Sequence, residues 1–203
     1  MDNLLKFKQT TTRSDLENTK DKKIEVKKGI FVNGIFCLKN GFKLDIPLEN
    51  SALFLKDIDL IIENTTIVIT ENFENITHKN FVKQLKLFNL TDEVLFIYRG
   101  NTKAEKELLY KLLEKKYKFY YFGDYDLAGI SIFINEFYKR NNNIQFLIPK
   151  NIENLFEEYG TQTLYKKQFN KYKNLTTNLA YLNNLIYLIH STQKTIEQER
   201  LLK

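Results

Sequence analysis

Asp124 and Asp126 stand one residue apart in Gly123-Asp124-Tyr125-Asp126-Leu127-Ala128-Gly129, between an aromatic run (Lys118 to Phe122) and an apolar segment. In an extended chain, side chains at that spacing point the same way. Two carboxylates held side by side repel unless something positive lies between them. A hard divalent cation with oxygen ligands, Mg²⁺ or Mn²⁺, meets that need. The competing reading is capping, because Asp is a favoured N-cap and acids suit the positive end of a helix. One aspartate is enough for a cap; here there are two, flanked by Gly123 and Gly129. A third acid, Glu71, directly follows the β-branched run TTIVIT (65–70). An Asp-x-Asp pair also serves metal-dependent transferases and phosphatases, so spacing alone does not choose the chemistry.

These acids need strands to deliver them. TTIVIT, EVLFIYR (93–99), KFYYFG (118–123) and IQFLIP (144–149) read as four buried strands. Helical patterns separate the first three, over Phe73 to Phe88 and Thr102 to Lys116. The helix after the third strand carries Ile130, Phe133, Ile134 and Phe137 at amphipathic spacing. Such alternation predicts an α/β fold with a parallel sheet flanked by helices, whose ligands sit beyond the carboxyl ends of the strands. If the first and third strands are neighbours, Glu71, Asp124 and Asp126 converge at one edge. After Pro149 the chain reads as helical, over 152–158, 161–172, 175–190 and 192–202. Upstream, residues 1–22 read as a polar arm. Asn33-Gly34 and Asn40-Gly41, between short β-rich runs, predict two tight turns of a small antiparallel meander. The expected division is therefore a polar arm and β meander over 1–50, and the α/β domain with its helical C-terminal extension over 51–203.

With 43% hydrophobic residues, 16 Phe and 12 Tyr, the chain can fill a core and is not of disordered composition. No apolar run approaches bilayer-spanning length, and the first residues lack the apolar core of a secretory signal. The single cysteine, Cys37, cannot form an internal disulfide and is expected to pack between Phe36 and Leu38. A cytoplasmic location and no membrane partner are expected. The net charge of +6 is compatible with nucleic acid without requiring it. The excess is uneven: Lys166, Lys167, Lys171, Lys173, Lys194, Arg200 and Lys203 face only Glu197 and Glu199 beyond residue 160. A solvated helical face and a phosphate-contacting face both fit that pattern.

Arg99, one of four arginines among 31 basic residues, ends the second strand at the presumed site edge. Bidentate contact with phosphate and a structural pair with Glu71 or Glu199 are both open to it. His78 and His190 have no Cys or His at ligand spacing, which disfavours zinc. Glu74 reads as an ordinary first-turn acid, and the Lys and Glu residues of 103–116 as a salt-bridged, solvated face.

Four motifs, in order, carry a family resemblance over about residues 50–203: Glu71-Asn72 after the first strand, Tyr98-Arg99-Gly100, Phe122 to Gly129, and Ile196-Glu197-Gln198-Glu199-Arg200-Leu201. The order strand-Glu, strand, helix, strand-Asp-x-Asp resembles the TOPRIM domain of topoisomerases, primases and related nucleases. It is most similar to the JetD-type nuclease subunits of Wadjet anti-plasmid systems, and more distantly to the topoisomerase VI A subunit. Asn72 stands where many TOPRIM proteins have Gly. Residues 1–50 do not resemble the winged-helix domain that supplies the topoisomerase tyrosine, so no covalent tyrosine step is expected.

The resemblance implies a TOPRIM-like Rossmannoid sheet and Mg²⁺-dependent (or Mn²⁺-dependent) cleavage of DNA phosphodiesters, in anti-plasmid or anti-phage defence. It implies a catalytic and metal-binding centre of Glu71, Asp124 and Asp126, joined or supported by Glu199. Arg99, with Arg200 and Lys194 from the basic C-terminal region, is the candidate for DNA phosphate. An SMC-type or other defence complex as partner, and a homodimer, follow from the same likeness. Two alternatives stand beside it: a non-cleaving TOPRIM module that binds DNA or a partner, and a metal-dependent transferase or phosphatase acting on small substrates.

Overall fold

A computed structural model describes residues 28–78, 86–90 and 93–202. The expected polar arm (1–22) and part of the expected Phe73–Phe88 helix lie outside the described residues. One sheet of seven strands organises the rest. Its order is β2-β1-β5-β4-β6-β7, with β3 also pairing on β1. The strands are β1 (Ile30–Cys37), β2 (Lys43–Leu44), β3 (Leu53–Leu55), β4 (Thr66–Thr70), β5 (Val94–Tyr98), β6 (Lys118–Phe122) and β7 (Gln145–Phe146).

The four strands β5-β4-β6-β7 run parallel. Their sequences explain why. Ile67, Val68 and Ile69 of β4, and Leu95, Phe96 and Ile97 of β5, are fully buried. Such continuous apolar runs suit strands covered on both faces. Among the described residues these α-helices flank the sheet: α1 (Glu74–Thr77), α2 (Lys103–Leu113), α3 (Leu127–Ile132), α4 (Ile152–Tyr159), α5 (Gln162–Tyr172) and α6 (Ala180–Thr192). The amphipathic helix expected after the third of those strands begins as α3 and widens into a π-helical stretch, Phe133–Tyr138. Ile130, Phe133 and Phe137 are buried. No helix among the described residues is long and apolar enough to cross a membrane.

The meander departs from the sequence reading at its first turn. Asn40-Gly41 does make a tight turn: Gly41 has φ +84°, and Leu38 N donates to Phe42 O at 2.8 Å. Asn33-Gly34 makes none and lies inside the continuous strand β1. Asn33 is fully buried there. Its amide nitrogen donates to Leu48 O (2.8 Å) and Ile76 O (2.6 Å), and its oxygen accepts from Leu48 N (2.9 Å). Gly34, at φ +129°, lets the strand pass Val94, whose carbonyl oxygen would lie 2.1 Å from a Cβ. β1 pairs antiparallel with β5, Val32 opposite Ile97 and Gly34 opposite Leu95. The meander is thus the antiparallel flank of the same sheet.

The C-terminal reading also changes. The predicted helix over 192–202 is not formed as such. α6 stops at Gln193, whose backbone is left-handed (φ 54°). Thr195 and Ile196 then form isolated antiparallel bridges to Thr161 and Tyr125, and residues 198–202 make a short 3-10 helix. The Ile196 bridge lays this segment across the Asp-x-Asp loop.

Candidate active site

β4 lies between β5 and β6, so the chain leaves it to one side and later returns on the other. In open α/β sheets such a reversal leaves a crevice beyond the carboxyl ends of the strands, where ligands bind. Glu71 follows β4, Arg99 follows β5, and Asp124 and Asp126 follow β6. Glu71 N donates to Phe122 O (3.1 Å) and Arg99 N to Thr70 O (3.0 Å), so the ladder extends to the site residues.

Glu71 is held from two sides. The Tyr121 hydroxyl donates to its Oε2 at 3.0 Å, and an Arg99 terminal nitrogen lies 3.7 Å from Oε1. Burial raises its pKa above the ordinary carboxylate value, against the Arg99 charge and the Tyr121 hydroxyl, which lower it. Gly123 makes this packing possible, since a Cβ there would lie 2.4 Å from the Tyr121 ring.

Asp124 Oδ1 accepts from Gln198 N (2.9 Å) and more distantly from the Asn72 amide (3.4 Å). Burial pushes its carboxyl up to about 8; the Gln198 N–H opposes the shift, while Glu71, Asp126 and Glu199 add repulsion. Glu199 itself is raised by burial and by Glu74 and Glu197. The Ile196–Leu201 segment therefore reaches the centre through both Gln198 and Glu199.

Asp126 stands apart in role. It is the N-cap of α3, with Oδ1 accepting from Gly129 N at 2.6 Å. Its Oδ2 accepts from the Gln168 amide at 2.7 Å, and Gln168 in turn accepts from Ala128 N (3.2 Å). The residue is 2% exposed. Capping accounts for one aspartate, as the sequence allowed, and that one is Asp126. Tyr125, between the two, turns into the core and donates to Leu147 O.

Arg99 spans Glu71 and Glu136, each at 3.7 Å, and its buried Nε has no hydrogen-bond partner among the described residues. Both ion pairs exceed ordinary hydrogen-bond length, which leaves donor capacity at the crevice. Lys194 donates to Phe156 O (3.3 Å), and Arg200 to Tyr159 O (3.5 Å). Both cations thus meet the last turn of α4, the end of a helix that favours positive charge. No hydrogen bond or ion pair links either to Glu71, Asp124 or Asp126 among the described residues.

Over residues 16–203 the chain matches the family described as a domain of unknown function, DUF7281. It belongs to that family. No curated protein matches this DUF7281 chain.

The metal expected from the sequence can be tested against this DUF7281 site. No group of three or more His, Cys, Asp or Glu among the described residues is arranged to hold an ion. The donor set is narrower, Glu71 and Asp124: burial raises both, and repulsion adds to it, from Asp126 at Glu71 and from Glu71 at Asp124. Mg²⁺ commonly keeps several waters and binds through one or two carboxylates, so this pair fits it without Asp126. Sequence reading did not single out Tyr121, Glu136, Gln168 or Gln198 as site residues. Tyr121 and Gln198 lie within stretches already quoted; Glu136 and Gln168 have no local signal, because fold alone brings them to the site.

Proposed function

We propose that this domain is a TOPRIM-type nuclease that hydrolyses DNA phosphodiesters with Mg²⁺ or Mn²⁺. The observation that carries the reading is the delivery of Glu71 and Asp124 by adjacent parallel strands to the crevice where strand order reverses, with Arg99 arriving from the third. When bound, the cation polarises a phosphoryl oxygen and lowers the pKa of water. Glu71 and Asp124 would hold it. Arg99, whose terminal nitrogens meet Glu71 and Glu136 only at 3.7 Å, would turn them to a phosphate oxygen. Tyr121 orients Glu71, and the backbone of Gln198 orients Asp124. A setting in anti-plasmid defence, alongside a DNA-delivering complex and as a homodimer, belongs to the same proposal by resemblance.

The test is cleavage of supercoiled plasmid in the presence of Mg²⁺ or Mn²⁺. Wild type is expected to cut, with nicked or linear product distinguishing one strand from two. Asp124→Asn and Glu71→Gln should each lower the rate by at least about 100-fold, the scale of one lost group in such a centre. Wild-type rates in both variants would overturn the assignment.

A second reading, a module that binds DNA without cutting it, is favoured by the Asp126 carboxylate, which caps α3 and meets Gln168. Asp126→Asn separates the roles. If capping is its whole task, the variant cuts at a rate near wild type. If Asp126 is a ligand, cutting falls with that of Asp124→Asn. Plasmid binding with no cutting by any protein would favour the second reading.

A further inference from the structure

The amino ends of the parallel strands, opposite the acids, carry the reverse charge. A cavity of about 950 Å³ opens beside the start of β6, lined by Lys115, Lys116, Lys118, Lys139 and Arg140. Glu114 is the one acid among the described residues lining it. Four of the cations have a partner, although Lys139, which donates to Asn135 Oδ1 at 2.7 Å, and Lys118, 5.3 Å from the Tyr120 ring centroid, meet no opposite charge there. Lys115 pairs with Asp59, and the Arg140 guanidinium lies 3.8 Å from the Tyr110 ring centroid and donates to Glu136 O. Lys116, Lys118 and Lys139 are exposed and form no ion pair among the described residues. A solvated helix face intersperses its charges, as Lys103 and Glu107 do on α2. Three uncompensated ammonium groups around a concavity instead focus a positive field.

A second cavity, about 660 Å³, shares Asn142 and Asn143 with the first and runs along β7 to the start of α6. Tyr138 and Tyr181 line it, with the amides of Gln145 and Asn184. The Tyr181 ring is 37% exposed and fixed in place, its oxygen accepting from Phe146 N at 3.1 Å. Cations along one stretch and aromatic rings along the next are what a strand with unstacked bases needs: phosphates to neutralise and bases to stack. A duplex, its bases already stacked, would engage the cations alone.

We propose that this continuous trough binds single-stranded nucleic acid, with phosphates on Lys116, Lys118 and Lys139 and bases against Tyr138 and Tyr181. Its cationic stretch lies at the far end of β6 from Asp124, on the order of 15 Å along a five-residue strand. Phosphate contact there is therefore separate from the acidic centre and does not depend on cleavage.

The experiment is fluorescence anisotropy with the full chain in EDTA, using a labelled oligothymidylate of about 20 nucleotides and a duplex of equal length. The single strand should bind at least about tenfold more tightly than the duplex. Lys116→Glu/Lys118→Glu/Lys139→Glu should weaken single-strand binding by about 30-fold or more and reduce the salt slope by about 2, given roughly 0.7 per neutralised phosphate. Tyr181→Ala should weaken it about tenfold with the slope unchanged, and Tyr181→Phe should retain it. Lys28→Glu/Lys56→Glu/Lys150→Glu, on exposed lysines elsewhere, makes the same charge change and should leave affinity within about twofold. Circular dichroism checks that each variant folds. Wild-type affinity in the trough variant, equal losses in both triple variants, or equal binding of duplex and single strand would each overturn the proposal. Because the metal is chelated, these outcomes stand whether or not the acidic centre cuts.

Discussion

Asp124 is an acid that the fold prefers to keep protonated. Its value of about 8 lies far above the ordinary 3.8, through burial first and then through Glu71, Asp126 and Glu199. Between those two values the native state holds a proton that the unfolded chain has released. The group's contribution to stability is thus full below about pH 4 and is lost as pH rises toward 8. In EDTA, the melting temperature should therefore fall as pH rises from about 5 to about 8. Asp124→Asn keeps an oxygen for the Gln198 N–H and carries no charge. It should flatten that decline and raise the melting temperature at pH 8, by roughly 2–4 °C per kcal/mol recovered. Added Mg²⁺ should stabilise the wild type most at the alkaline end and leave Asp124→Asn little changed. Scanning fluorimetry across pH reads all three effects. An unchanged slope in Asp124→Asn would show that Asp124 does not carry the linked proton.

At the scale of elements, β1 shows how local grammar yields to packing. Asn-Gly was legible as a turn because it tolerates positive φ. Gly34 does have positive φ, and it uses that freedom to pass the Val94 carbonyl within one strand. A Cβ there would collide with backbone, which has no rotamer to yield. Gly34→Ala should destabilise the domain by about 2–4 kcal/mol, whereas Gly41→Ala, where a Cβ meets nothing within 4 Å, carries only the positive-φ strain of an exposed turn. Urea denaturation should rank them in that order, and equal losses would mean β1 does not pack on β5 in this register. The four parallel strands were legible for a different reason: their apolar runs follow from burial on both faces, a property of each segment alone. The same holds for α2, read as a helical pattern from Thr102 to Lys116; its start is fixed by a reciprocal capping box between Thr102 and Glu105. Long-range partnership was not legible. Glu136 meets Arg99, and Gln168 meets Asp126, only because the π-helical stretch after α3 and α5 pack where they do. The last segment was read as a continuation of the helices after Pro149; its bridges to Thr161 and Tyr125 are tertiary and have no periodicity to detect.

For the whole molecule, that last segment decides whether the acidic centre is a property of the sheet or of the closed chain. Gln198 is fully buried. Its side chain accepts from the Asn75 amide (2.6 Å) and donates to Phe122 O, while its backbone N–H meets Asp124. One residue near the C-terminus thus ties α1, the end of β6 and the site carboxylate together. The sheet supplies Glu71 and Asp124, but the electrostatics of Asp124 depend on the returning chain, which brings one lowering hydrogen bond and one repelling acid, Glu199. Gln198→Leu is close in size and removes both side-chain hydrogen bonds while leaving the backbone N–H. It should cost about 2–4 kcal/mol, the scale of breaking a buried polar network, or roughly 4–16 °C of melting temperature at this chain length. If the segment acts as a latch on the site, the loss should be accompanied by a change in the pH dependence of stability, because Asp124 becomes more hydrated as the latch loosens. Its pKa then moves back toward the ordinary carboxylate range, and the decline of stability between about pH 5 and 8 becomes shallower. A melting temperature lowered by the same amount at every pH would instead make Gln198 a structural tie only, with the acidic centre complete in the sheet alone.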